Sequence, residues 1–404
     1  MRILFLAVSP PNNLLRGYQV RAYHQLRLLS VRHRVTLVCF APRSAAREEH
    51  RIVSGFCEDV LVVPLRTTQT IAGLARGIFS GRPLQAAWYE TAEMRRTIGR
   101  LLGERRHDLV HVQLARMAGL LDEATSIPRV IDFVDALSLN LRRRAEYDRG
   151  VLSLAARLEA QRLLRLERDI CQSWNHAMVV SPVDREAIGS FPNLTVNPSG
   201  VDLQEFRYSS EGRDRYSVIF TGNLGYFSNV DAICWFAREV FPIIRRSEPK
   251  AKLVIVGARP SRKVRALCER DPQIKIEGTV SRLPPHLERS GVSIAPMRAG
   301  SGQLFKVLEA MACGSPLVAT RVAMAGMEAE SGRHFLLADT REAFAQEVLR
   351  LMRGPGLASH IATEARRLVE RNYSWEHSVS ALEETYRSVL ERGRRSPSQQ
   401  VAAH

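Results

Sequence analysis

The chain has 404 residues, 45% of them hydrophobic, and a formal charge of +16 with a pI of about 10.2. That length predicts two to three domains, with apolar material enough for two cores, and no run reaches the ~18 apolar residues a membrane span needs. The positive charge is carried mainly by arginine and predicts attraction to anionic surfaces or substrates. No helix-turn-helix, zinc finger or aromatic-basic stacking motif accompanies it, so nucleic acid is not an expected partner.

Met1–Ser9 reads as a first parallel strand; its apolar part, Ile3–Val8, is too short for a signal peptide and is followed by Pro10-Pro11. A loop, Pro10–Arg16, leads to Gly17, and Val20, Tyr23, Leu26 and Leu29 then recur at near-helical spacing. Val35–Phe40 is the second strand. Strand, loop, helix and strand make one βαβ unit, whose ligands bind where loops leave the strand C-termini. Further strands are expected at Val60–Val63, Leu109–Val112, Val130–Phe133 and Ala177–Ser181, and helices at Thr91–Gly103 and Gly150–Cys171. In the latter, Leu163, Leu166 and Ile170 mark an apolar face opposite Arg157, Arg162, Arg165 and Arg168. With Arg142, Arg143 and Arg144 these form a basic surface, either a solvated helix face or a face for anionic lipid. His111 reads as a core histidine.

Asp132 and Asp135 follow a strand on the loop side of the sheet. A carboxylate there can orient a substrate hydroxyl; capping the following helix is the competing role. Asp135, further toward the loop, is the preferred candidate. Ser209–Tyr216 is polar and reads as a linker, after which the alternation restarts: Val218–Thr221, Leu253–Val256, Ile274–Glu277, Val292–Ala295 and Leu317–Thr320. Repeated strand–helix alternation in both halves predicts two doubly wound α/β domains. Trp375, Val379, Leu382 and Tyr386 form the inward face of an amphipathic C-terminal helix, and Gly393–His404 reads as disordered. The six cysteines are scattered without a Cys-x-x-Cys pair, as for buried reduced thiols in a cytoplasmic protein.

The stretch Ser301–Thr320, SGQLFKVLEAMACGSPLVAT, carries the chemistry. Gly300-Ser301-Gly302 precedes a short helix whose free N–H groups suit an anion. Lys306 and Glu309, three residues apart, share a helix face; a cation suits a phosphate and a carboxylate suits ribose hydroxyls. Cys313-Gly314-Ser315-Pro316 ends the helix before a buried strand.

This stretch resembles the nucleotide-sugar motif of the GT-B glycosyltransferases, in particular the retaining family 4. Glu309-Ala310-Met311-Ala312-Cys313-Gly314-Ser315-Pro316 matches the second half of that motif; Ser301 occupies the place of its first Glu. Lys306 resembles a Lys-x-x-Glu variant of the helix. Asn197-Pro-Ser-Gly200-Val-Asp202 is similar to the family's domain-junction motif, and the run TGNLGYFSNVDAICWF resembles bacterial sugar transferases of exopolysaccharide assembly. Asn223 and Ser228 stand where many members carry the Arg and Lys that grip the diphosphate.

The resemblance spans about residues 1–392 and implies two Rossmann-like domains facing across a cleft: 1–195 on the acceptor side, 196–372 for the nucleotide sugar, 373–392 as a closing helix, and a tail at 393–404. It implies a retaining, metal-independent enzyme with no cofactor, a nucleotide-diphosphate sugar as donor and a glycan or lipid-linked acceptor. The expected catalytic residues are Asp135, Lys306 and Glu309. The expected substrate contacts are Gly17, Asn223, Arg298, Ser301, Gly302, Gln303, Leu304 and Val280. No Asp-x-Asp or clustered His/Cys suggests a metal. The expected location is cytoplasmic, with docking on the inner face of the cell membrane as a further expectation. An epimerase of the same fold and a non-catalytic binding subunit remain as alternatives.

Overall fold

The computed structural model describes residues 1–11, 17–41, 53–104, 106–121, 126–147, 150–300 and 302–395. The chain divides into two compact units, Met1–Pro198 with Ser378–His404, and Ser199–His377.

The first unit is built on seven parallel strands in the order β3-β2-β1-β4-β5-β6-β7. They are β1 (Arg2–Ala7), β2 (Arg34–Ala41), β3 (Asp59–Pro64), β4 (Leu109–Gln113), β5 (Arg129–Val134), β6 (His176–Val179) and β7 (Leu194–Val196). Their continuous apolar runs, rather than alternating ones, reflect a sheet covered by helices on both faces. The winding reverses between β1 and β4, so the crevice of this sheet opens beyond Ala7 and Gln113.

The last helix, Trp375–Arg395, enters this unit at Ser378. Val379, Leu382, Tyr386 and Val389 pack in the cluster of Phe5, Leu37 and Leu109. The Tyr386 hydroxyl and His111 Nδ1 share a hydrogen bond of 2.8 Å, and His111 stacks on Phe5 at 4.3 Å. Burial pushes the His111 pKa down to about 4, so the ring is neutral. His111 is therefore the core histidine that its apolar strand suggested.

The second unit repeats the plan with six parallel strands, β10-β9-β8-β11-β12-β13. They are β8 (Asp214–Thr221), β9 (Lys252–Val256), β10 (Ile274–Gly278), β11 (Ser290–Ala295), β12 (Leu317–Ala319) and β13 (Leu336–Leu337). Its reversal falls between β8 and β11. Each expected strand is present; β7 and β13, of three and two residues, are too short to leave a pattern.

Two expectations are corrected here. Ser209–Tyr216 does not link the two units: it lies inside the second, which begins at Ser199, and its last three residues open β8 at Asp214. Arg213 is also no loose linker residue: its guanidinium donates to the carbonyls of Leu287, Ser290, Ser209 and Cys313 at 2.6–2.9 Å. The disordered tail does not start at Gly393, since the helix runs on to Arg395; residues 396–404 lie outside the described ones.

Candidate active site

The crevice of the second sheet is built from the C-terminal ends of β8 and β11. Helix Phe305–Ala312 sends Lys306 into it. Its ammonium donates to Asn229 Oδ1 at 2.7 Å, lies 3.8 Å from Met297 Sδ just beyond β11, and sits 4.0 Å over the Phe220 ring near the end of β8. Gly222, at φ +143, permits this approach, because a Cβ there would lie 2.9 Å from the ammonium. Asn229 is held in turn: its Nδ2 donates to the Asn223 carbonyl at 3.0 Å. One cation thus stands at the topological switch point, where doubly wound sheets take their ligands. Burial brings the Lys306 pKa down to about 7, against a pull upward from Glu309.

Glu309 lies one turn along the same helix, half-buried, with no hydrogen bond or ion pair to its carboxylate among the described residues. Burial raises its pKa to about 7, Lys306 opposes the rise, and Glu205 adds to it. The two side chains feel each other's charge, yet the lysine's short contact is with Asn229, not Glu309. Both groups are therefore available to a ligand. Their helix is fixed from behind by Val307, Leu308 and Met311, all buried, which contribute roughly 1.5–3 kcal/mol each. Its C-terminal carbonyls are capped by two arginines, Arg366 to Ala312 O at 2.7 Å and Arg213 to Cys313 O at 2.6 Å. Gly314, at φ +67, completes a Schellman turn in which Gly314 N donates to Met311 O and Ser315 N to Ala310 O.

The remaining expected contacts of this unit lie as follows. Ser301 is outside the described residues. Gly302 has φ +72. Gln303 is engaged through Oε1, which accepts from Ser199 N at 2.7 Å, while its buried Nε2 has no partner among the described residues. Leu304 is the helix N-cap residue and supplies no side-chain cap; Val307 N turns back to Leu304 O at 3.0 Å, and among the described residues the Phe305 and Lys306 amides keep their donors for another acceptor. Asn223 shapes a turn by accepting from Gly225 N at 3.0 Å, and it is half-buried. Val280, after β10, packs against the core and is partly exposed. Arg298 forms a two-pronged pair with Asp231 at 2.5 and 3.0 Å and lies over Trp235. Much of its charge is already answered within the protein, whereas the short contact of the Lys306 ammonium is with a neutral amide.

In the first unit, Gly17 opens the helix Gly17–Leu29 beside the β1/β4 reversal. Gln113, at the end of β4, donates to Tyr18 O at 3.0 Å and so fixes that helix start over the crevice. Asp132 in β5 and Asp135 just beyond it separate sharply. Asp132 is fully buried in an ion pair with Arg21 at 2.6 Å, with Gln25 and the Val134 amide also donating to it. Asp135 has no hydrogen-bonding partner among the described residues. It does not cap the next helix either: Asp184 takes the Ala136 amide at 3.0 Å and Glu167 takes Ser138 N at 3.2 Å. Burial and the charge of Asp184 hold the Asp135 pKa well above the usual carboxylate range. Before it, Val134 has φ +63, a strained conformation for a β-branched residue, of the kind that gathers at functional sites.

Sequence reasoning missed Asn229, Met297 and Phe220 around Lys306. Only Asn229 left a usable signal, as a second amide side chain six residues after Asn223.

Two doubly wound parallel sheets, one with Lys306 and Glu309 at its switch point, make this an α/β protein of two Rossmann-like units. Residues 215–354 match the family model described as "Glycosyl transferases group 1". The D-inositol 3-phosphate glycosyltransferase of Rhodococcus jostii is 30% identical over 226 residues, 49% of this chain and 48% of that protein. The chain thus spans about half the length of the curated relatives it matches. Among solved structures, Anabaena HepE in complex with UDP and glucose superposes with a TM-score of 0.70 at 14% identity, covering 96% of this chain and 100% of that one. Sucrose-phosphate synthase from Thermosynechococcus elongatus does so at 0.72 and 15%, covering 97% and 99%. Residues 215–354 thus match a group 1 glycosyltransferase domain, and the chain has the GT-B fold.

Proposed function

We propose that this protein is a retaining, metal-independent glycosyltransferase of hexosyl type. It moves a sugar from a nucleotide-diphosphate sugar to a glycan or lipid-linked acceptor in bacterial cell-surface or exopolysaccharide synthesis. It acts in the cytoplasm against the inner face of the membrane and needs no cofactor. The observation that carries the reading is Lys306 at the β8/β11 switch point with the unpartnered Glu309 one turn away. The UDP complex of HepE, a protein of the same fold, supports a nucleotide donor.

In this reading the ammonium of Lys306 and the first-turn amides after Gly302 face the diphosphate, and Glu309 accepts from the ribose hydroxyls. Breaking the bond between sugar C1 and the diphosphate builds negative charge on the leaving phosphate. A cation and helix amides held at that spot stabilise the transition state more than the ground state. Gln303 Nε2, buried without a partner among the described residues, is a further donor for the same ligand. In the first unit Asp135, kept protonated by its surroundings, orients a hydroxyl of the acceptor or the sugar. Retention is the stereochemical outcome that goes with the family resemblance.

Calorimetric titration of UDP and GDP into wild type and Glu309→Ala tests the site. A ribose-binding role predicts about tenfold to a hundredfold weaker binding in the variant. Equal affinity in both proteins would overturn the assignment.

A further inference from the structure

We infer that an exposed apolar face of the first unit docks this protein on an anionic lipid bilayer. The inference rests on the membrane-side location proposed above, names the surface that would serve it, and needs none of the donor-site residues. Single exposed apolar side chains are normal on any protein; a cluster is not. Of the twelve large hydrophobic side chains exposed among the described residues, eight come from three neighbouring elements. On helix Thr67–Ser80, Ile71, Ile78 and Phe79 share one face, and Phe79 is 92% exposed. The other face of that helix packs through Gly73 and Gly77 on Ala87 of the short helix Leu84–Ala87. Trp88 follows that short helix. The Gln85 amide then donates to Glu159 at 2.9 Å, which ties it to the long helix Val151–Ser173. On that helix Val151, Leu154 and Leu158 recur at i, i+3 and i+7 and are 81%, 60% and 52% exposed.

Charge selects the occupant. The stripe of Val151, Leu154 and Leu158 continues as Arg162 and Arg165, the latter exposed. Of the three acids of the same helix two are turned into the protein, Glu159 accepting from Gln85 N and Glu167 buried against Ser138; the exposed Asp169 lies beyond the arginines, away from the apolar end of the stripe. Apolar side chains rimmed by arginine match a bilayer interface with anionic headgroups. A second copy is a poor occupant, since each carries +16.

The test is co-sedimentation of the full chain with phosphatidylcholine vesicles, with and without phosphatidylglycerol. The wild type binds the anionic vesicles and leaves the neutral ones, and salt weakens the binding. The pairs Ile78→Asp with Phe79→Asp, and Leu154→Asp with Leu158→Asp, each weaken it about tenfold or more. Because these positions face water, melting temperature and UDP affinity stay at wild-type values, which separates this outcome from a failure of the donor-site reading. No binding to anionic vesicles, binding unchanged in both apolar pairs, or a wild-type dimer that those pairs dissociate would each overturn the proposal.

Discussion

Replacing Lys306 by methionine separates the two roles a buried lysine can have. The side chain keeps its length and apolar stem and loses its charge. The ammonium sits in a site that lowers its pKa from 10.5 to about 7. For a group whose folded-state pKa is depressed below the unfolded value, stability is lost as pH falls from the unfolded pKa toward the folded one. At pH 7 this bounds the cost of carrying the charge at roughly 4 kcal/mol. Water reaching the half-buried group reduces that to about 1–2 kcal/mol. Against this, Asn229 Oδ1 loses its 2.7 Å donor, at about 1 kcal/mol. The net is a stability unchanged or about 1 kcal/mol higher, a rise of up to roughly 2–4 °C in melting temperature for a unit of this size. Donor binding moves the other way. Loss of one charge-assisted contact to a diphosphate removes about 1.5–3 kcal/mol, some tenfold to 150-fold in Kd. Differential scanning fluorimetry with and without UDP, alongside calorimetric titration, reads both quantities. A melting temperature more than about 5 °C lower with UDP affinity unchanged would refute the reasoning and make Lys306 a structural residue.

Other perturbations have equally definite outcomes. Arg21→Leu strands the buried Asp132 carboxylate and should cost about 3–5 kcal/mol in chemical denaturation; the double change Arg21→Leu with Asp132→Leu should recover much of it, and no recovery would show that the charge pair is not the cause. Gly314→Ala forces a side chain into φ +67 and to 2.5 Å from the Tyr208 ring, so a loss of about 1–2 kcal/mol is expected, and a neutral result would count against the Schellman turn as the stop of the helix. Asp135 has a pKa raised well above 3.8, so its contribution to stability is present below that value and lost as pH rises through the folded pKa. Asp135→Asn should therefore flatten the melting temperature between pH 4 and 8 and raise it at the upper end; parallel curves for the two proteins would contradict the buried, protonated carboxyl.

What the chain determines locally could be read from its residues. Strands announced themselves because a parallel sheet buried on both faces demands unbroken apolar runs, as in Ile3–Val8 and Val218–Thr221. The helix Phe305–Ala312 and its stop were legible because capping and the i, i+3 relation of Lys306 to Glu309 involve only near neighbours. Tertiary structure decided everything that rests on pairing between distant positions. Arg298 looked as free as Lys306 until Asp231, 67 residues away, closed on it. Asp132 and Asp135 were equivalent as letters; Arg21, 111 residues from Asp132, made one of them a buried strut and left the other unpaired. The strand orders that put Lys306 at a reversal of winding are likewise invisible in a linear pattern. Nor does periodicity say which of the two apolar stripes on Val151–Ser173 is covered: Leu163 is buried and Leu158 exposed because only the neighbours of the two stripes differ. Local propensity depends on a few adjacent residues, whereas burial and charge compensation depend on which remote side chains the fold brings within a few ångströms.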